Sequence, residues 1–439
     1  MRSTSQTENP PRAWRASVIP CEVRKMKRYY PWLMALMGML VLLVSNGLTV
    51  TGLTAFDESL LAEFGWSRSE LKLRDLLTLV LAGWMAPFIG ALIDRVGPRR
   101  LVLAGIALLA ALYAAYAHVH SLLHLYLIHI GFAAVLVAAG LNVAVIFVSQ
   151  WFHTKRGTAI GIALVGTSLG GMIFPKLGVK LMETMDWRAA LLWETAIPVA
   201  FLLLALVFMR SPKAGGIAPW GSDRAADSAA SDPQALPAAP TLPDLSYAQA
   251  MRTRTFWALA VVAMCTFFSI IAASSNLFLH MRDLGFEPAQ AGNGLGVMFG
   301  LAMVGKFGFG LLADLFPPKR VFLLNIALMA GGGFLMATMD VALVWYALIL
   351  FGLGWGGLYT MIQLLAVNAF GLTSAGKILG TITLLDATTA GLGVWLAAKI
   401  SDVTGSYAPA FQLICGLLVL ALLVATLVRN ERASSVQSA

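Results

Sequence analysis

Cysteine is scarce in this 439-residue chain: there are three, Cys21, Cys265 and Cys415, with no paired spacing. Neither a disulfide framework nor a Cys/His metal site follows from them. Charged residues make up 12% of the chain, about half the usual share in soluble domains. The chain has no phosphate-cradling G-x-x-x-x-G-K-S/T and no H-E-x-x-H, so nothing suggests an enzyme, and no cofactor is expected. Without a nucleotide motif, any work must draw on an ion or solute gradient. The first 30 residues are polar and lack an apolar stretch ending in a small-residue cleavage site. The expectation is therefore no signal peptide, with the first apolar span acting as its own insertion signal.

Apolar residues, by contrast, form 59% of the chain. They fall in runs of about 20, each long enough to cross a hydrocarbon layer as a helix. The runs lie near 31–54, 71–93, 99–118, 121–149, 157–182 and 187–209, then 255–280, 291–313, 319–339, 342–370, 376–398 and 406–428. The expected fold class is all-α integral membrane, with twelve transmembrane helices in two six-helix pseudo-symmetric bundles. The expected domains are a cytoplasmic tail 1–30, a bundle 31–209, a cytoplasmic linker 210–254, a bundle 255–428 and a tail 429–439. The linker, rich in Ala, Pro, Ser and Asp, has too little apolar bulk to pack and is expected to be mobile.

The net charge of +9 collects in short connections between apolar runs. Bilayer topology explains it better than nucleic acid, so the expected partner is the lipid bilayer and not nucleic acid. The Lys and Arg count places both termini inside, in what is expected to be a bacterial inner membrane.

The fragment GALIDRVGPRR at 90–100 matches GLLADLFPPKR at 310–320 in layout, and each sits between the second and third helix of its set. Two copies imply a duplicated six-helix unit, the arrangement of large secondary transporters. Gly90, Asp94, Arg95, Gly97, Arg99 and Arg100, with Gly310, Asp314, Lys319 and Arg320, are the candidate gating motif. Each aspartate is expected near the N-terminus of the next helix, where its charge meets a positive dipole.

With those residues, the chain resembles the major facilitator superfamily, whose helix-two to helix-three signature reads close to G-x-L-x-D-R-x-G-R-K/R. The phrases FGWSRSE at 64–70, QWFHTKRGTAIGIA at 150–163 and MDWRAAL at 185–191 are similar to the monocarboxylate porter and oxalate/formate antiporter branches. Trp66 and Trp187 also suit interfacial anchoring.

Ionisable side chains inside spans are expensive and should face a cavity or a partner. Lys306 lies eight residues before Asp314, roughly 12 Å up the eighth helix. Asp386 lies nine residues past Lys377, roughly 13 Å up the eleventh. Two readings stand: a self-neutralising structural pair, or a substrate-binding Lys306 with Asp386 exchanging charge or a proton. In the resembling branches an arginine stands a few residues before the same motif, which implies that Lys306 holds an anionic substrate. Lys lacks the bidentate fork of Arg, and no basic residue lies between Lys377 and Lys399, so a dicarboxylate is less expected.

Asn142 and Tyr359 are the preferred further substrate contacts, with Asn46 and Gln363 also candidates; each suits interhelical hydrogen bonding equally well. Arg74 and Asp75 read as interfacial anchors, with a gate at the outer mouth as the alternative, Lys176 and Lys180 as snorkelling cations, and His129 as a hydrogen-bonded core residue, with a proton relay as the alternative.

The function expected is a secondary transporter of a small organic anion, with a monocarboxylate implied by the resemblance, moved as a symporter or antiporter with a proton or counter-solute. The alternatives are an exporter of hydrophobic or cationic compounds and a non-transporting membrane sensor.

Overall fold

The computed structural model describes residues 21–152, 155–212, 219–220, 244–371 and 374–431. The expected N-terminal tail up to residue 20, most of the linker and the tail from 432 lie outside these residues. Eleven helices among the described residues are long and apolar enough to cross a membrane. A twelfth, Arg68–Val96, joins them; its stretch 76–93 carries no charged residue.

In chain order the spans of the first half are α1 (Tyr29–Phe64), α2 (Arg68–Val96), α3 (Pro98–Tyr116), α4 (Leu122–Ser149), α5 (Arg156–Met182) and α6 (Trp187–Phe208). The second half has α7 (Arg254–Asp283), α8 (Pro288–Leu315), α9 (Pro318–Ala337), α10 (Val344–Phe370), α11 (Ala375–Thr404) and α12 (Ala408–Ala425).

The packing repeats between the halves. In the first half α1 lies on α5, α2 on α4, and α3 on both α4 and α6; in the second α7 lies on α11, α8 on α10, and α9 on both α10 and α12. Between the halves, α2 packs along α11 and α5 along α8. Small residues permit these approaches: a side chain at Gly83 would strike Ala387, and one at Gly171 would strike Phe299. Large apolar side chains such as Leu203, Val207 and Leu423 stay exposed on the outer faces, as lipid contact requires.

Two spans of the first half are irregular. α1 continues the α-helix Cys21–Asn46, of which it takes the part from Tyr29, through a π turn (Gly47–Thr51) and a 3-10 turn (Gly52–Phe56) to a last helical stretch (Asp57–Phe64), so it runs ten residues past its expected end at 54. Glycine explains the site of the irregularity: Gly47 and Gly52 lie against Gly170 and Phe174 of α5, where a Cβ would have no room. α4 breaks at Gly140, whose backbone is extended. The carbonyl freed there, Ala139 O, accepts from Ser45 Oγ of α1 at 2.8 Å, and Leu48 O in the π turn accepts from Tyr113 at 2.7 Å. Non-helical backbone at such depth persists when neighbours satisfy it in this way.

The start of α1 meets the end of α6, the end of α10 meets the returning linker at Leu245, and the residues after α12 meet the start of α7, at the end of the bundle here called proximal; the opposite end is distal. The repeated motif sits proximally. Arg99 donates to Met209 O at 2.6 Å and Lys319 to Thr426 O at 2.6 Å, so each caps the C-terminus of the last helix in its own half. The turns themselves differ: Gly97 has φ +85°, while its counterpart Pro317 has φ −53°. Arg95, Arg100 and Arg320 are exposed, and the side chains of Asp94 and Asp314 lie outside the described residues.

Candidate functional site

Lys306 emerges from α8 toward α5 across the boundary between the halves. Its ammonium donates to Thr167 Oγ1 at 2.8 Å and Ser168 Oγ at 2.9 Å, with Leu164 O at 3.5 Å. These partners are neutral. Among the described residues no hydrogen bond or ion pair joins Lys306 to Asp386, so the structural-pair reading does not describe this state. Thr167 and Ser168 were not singled out from the sequence; two adjacent hydroxyls in a glycine-rich helix read there as packing.

Asp386 is buried on α11, one residue from the Gly83–Ala387 contact with α2. Tyr359 of α10 lies within electrostatic reach of Asp386, with Gln363 and Thr383 beside its hydroxyl and its ring edge-on to Phe267 at 6.1 Å. The structure therefore gathers Tyr359, Gln363 and Asp386 into one group.

Asn46 and Asn142 each lie beside the point where Ser45 of α1 bonds Ala139 O at the α4 break. Asn46 adjoins Ser45, its amide Nδ2 is buried without a hydrogen-bond partner, and the exposed Asn142 lies just past the Gly140 break. Broken helices at mid-depth are where secondary transporters place their sites. Asn276, by contrast, is committed to structure through Val394 O and the Tyr407 hydroxyl.

The distal end of the first half holds a buried cluster of charge. Arg74 and Asp75 are not interfacial anchors: Arg74 is fully buried and Asp75 is 7% exposed. Asp57, at the start of the last stretch of α1, accepts from Lys72 at 2.5 Å and also from Arg74. Arg74 donates on to the Tyr116 hydroxyl at 2.7 Å. His129 is a buried core residue hydrogen-bonded to Thr78 at 2.9 Å. The signal was the i, i+2, i+3 spacing of Lys72, Arg74 and Asp75; what hid it was their place near a helix start, which by rise alone reads as the membrane surface.

Lys176 is exposed and its side chain lies over Gly296 of α8, where a Cβ would meet its ammonium. Lys180 pairs with Glu183 in the open. Trp187 donates to Glu63, which also pairs with Arg188 at 2.7 Å, so the FGWSR and DWR phrases meet at the distal end.

Polar contacts tie the two halves together distally. Arg68 grips Asp283 through both terminal nitrogens, Arg282 grips Glu58, and Lys72 donates to Ser275 O of α7 at 2.6 Å. Asp402 of α11 accepts from the backbone amides of Arg68 and Ser69 at 3.0 and 2.7 Å. The exposed pairs among these contribute at most about 1 kcal/mol each.

Two pseudo-symmetric six-helix halves, irregular spans at mid-depth and a distal closure of weak bonds define a membrane carrier. A family model described as Major Facilitator Superfamily matches residues 34–394, and the chain belongs to that superfamily. Monocarboxylate transporter 13 of Rattus norvegicus is 26% identical over 345 residues, 74% of this chain and 72% of the relative. A shorter match, the Fujikurins efflux protein of Gibberella fujikuroi, is 32% identical over 148 residues, 32% of this chain and 29% of that protein. A solved bacterial homologue of the human lysosomal transporter Spinster, inward-facing and occupied, has a TM-score of 0.67 at 15% identity, covering 91% of this chain and 96% of that one. That likeness speaks to the fold alone.

Proposed function

We propose that the protein carries a small organic anion, a monocarboxylate, across the bacterial inner membrane by alternating access, with a proton or a second solute as the coupled species. In this reading the proximal end and both termini are cytoplasmic. The observation that carries the proposal is Lys306: a single ammonium at mid-depth, held by two neutral hydroxyls on the facing half rather than by a carboxylate. An incoming carboxylate replaces those hydroxyls with a full charge, a stronger charge-assisted bond.

Asp386 then acts separately from Lys306, as the group that takes or releases the coupled proton, with Tyr359 and Gln363 beside it. Asn46 and Asn142 supply hydrogen bonds from the first half. Monocarboxylate transporters among the relatives support the substrate class.

A second reading is an exporter of hydrophobic or cationic compounds, with Asp386 as its binding charge; the efflux protein among the relatives and the lack of an ion pair at Asp386 among the described residues favour it.

Uptake of labelled monocarboxylates and organic cations into proteoliposomes at two pH values separates the readings. Saturable acid uptake lost in Lys306→Ala supports the first. Intact acid uptake in that variant refutes it, and cation movement abolished by Asp386→Asn favours the second.

A further inference from the structure

The distal cluster balances two carboxylates, Asp57 and Asp75, against two cations, Lys72 and Arg74, with little access to water: the side chains are 0–9% exposed. The pairing is uneven. Each oxygen of Asp57 takes a cation directly, whereas Asp75 has only Arg74 Nε at 3.4 Å on one oxygen and Lys72 at 3.6 Å from the other. Its Oδ2 is buried and accepts no hydrogen bond, and Nε2 of His129 is likewise buried and unpartnered. The two groups adjoin, with His129 Nδ1 4.0 Å from Asp75 Oδ1. One member of this cluster, Lys72, reaches out of its half to Ser275 O of α7.

We propose that Asp75, with His129 beside it, is a proton-binding site that controls the opening of the distal end. The chemistry is one O–H or N–H bond formed with a proton from water on the distal side. Deprotonated, the cluster is neutral and tolerates the dry, closed state. Protonated, it carries one net positive charge, which a buried site accommodates poorly. The excess is relieved when the halves part distally, Lys72 leaves Ser275 and water enters. Acid on the distal side therefore favours the open form and alkali the closed one.

The charged and titratable groups around Asp75 are Lys72 and Arg74 on its own helix, Asp57 on α1, Tyr116 on α3 and His129 on α4. From α7 the cluster meets the Ser275 carbonyl. The charges of α11 near this end, Lys399 and Asp402, act on Glu70 at the start of α2. Tyr407 of α12 faces Arg68 and lies within reach of Asp57. The proposal rests on the fold and this cluster, not on which anion is carried.

Spin labels at Ala62 of α1 and Ala289 of α8, which line opposite sides of a distal cleft, test it in the full-length protein in nanodiscs with its three cysteines replaced. The distance distribution is read across a pH series. The open fraction is expected to rise on acidification, by up to about tenfold per pH unit for one linked proton, and Asp75→Asn is expected to flatten that dependence. No pH response in the parent, or an unchanged slope in Asp75→Asn, overturns the proposal. If Asp75→Asn does not fold, His129→Asn is expected to move the midpoint, and an unmoved midpoint overturns it. Asp402→Asn, which loosens the same closure outside the cluster, is expected to raise the open fraction and keep the slope; a lost slope there places the sensor elsewhere and also overturns it.

Discussion

Helices α2 and α8 are copies of one helix, since Gly90 matches Gly310, yet they carry charge at opposite depths. Lys72, Arg74 and Asp75 fall opposite Gly292, Gly294 and Leu295, and Lys306 falls opposite Ala86. The copies agree where they pack and where Arg99 and Lys319 cap their own halves. They differ wherever an ionisable group is buried. Backbone irregularity is divided as unevenly: α1 and α4 are interrupted, whereas their counterparts α7 and α10 run unbroken over 30 and 27 residues. Duplication thus supplied a symmetric frame, and each half departs from it in its own way.

The contrast can be broken most directly at Asp57. Replacing it with Ala leaves Lys72 and Arg74 buried without their shared carboxylate, a loss of about 3–5 kcal/mol. Asp386→Asn removes no ion pair and is expected to change stability by less than about 1 kcal/mol. Thermal unfolding of the two variants in detergent checks this, and equal losses would erase the difference between the halves.

Next in size, Lys306→Ala is expected to lower anion uptake by about tenfold to a hundredfold, the worth of a hydrogen bond to a charged group, while the unfolding temperature stays close to that of the parent. A parallel fall in both would make Lys306 structural.

Ser45→Ala strands the Ala139 carbonyl at the α4 break and is expected to cost about 1–3 kcal/mol, read by the same unfolding assay. A neutral result would mean that the break is satisfied without α1.

The smallest effects sharpen the symmetric side. Arg99→Ala and Lys319→Ala are each expected to cost about 0.5–1.5 kcal/mol and to match one another. Unequal losses would show that the two caps have diverged.

The twelve spans, the duplicated unit and the prominence of Lys306 were legible because each leaves a local mark: an apolar run, a repeated phrase, a lone ammonium in an apolar helix. Partners across the bundle leave no such mark. Thr167 and Ser168 look like packing residues until α8 lies against α5, and Asp57 looks like an outer-loop acid until α1 is seen to continue through its π and 3-10 turns. Helical rise gives height but not facing, which is why Arg74 was assigned to the surface when it is fully buried. Matched heights on α8 and α11 likewise leave open whether Lys306 and Asp386 meet, and here the Lys306 ammonium turns to Thr167 and Ser168 of α5.

The Asp402 carboxylate bonds the backbone amides of Arg68 and Ser69, two of the amides that the start of a helix leaves without internal partners. Separating the halves distally strips those amides of their acceptor. Their rate of hydrogen exchange with solvent therefore records which way the carrier faces, an intrinsic clock that needs no label and can be read by mass spectrometry in native membranes.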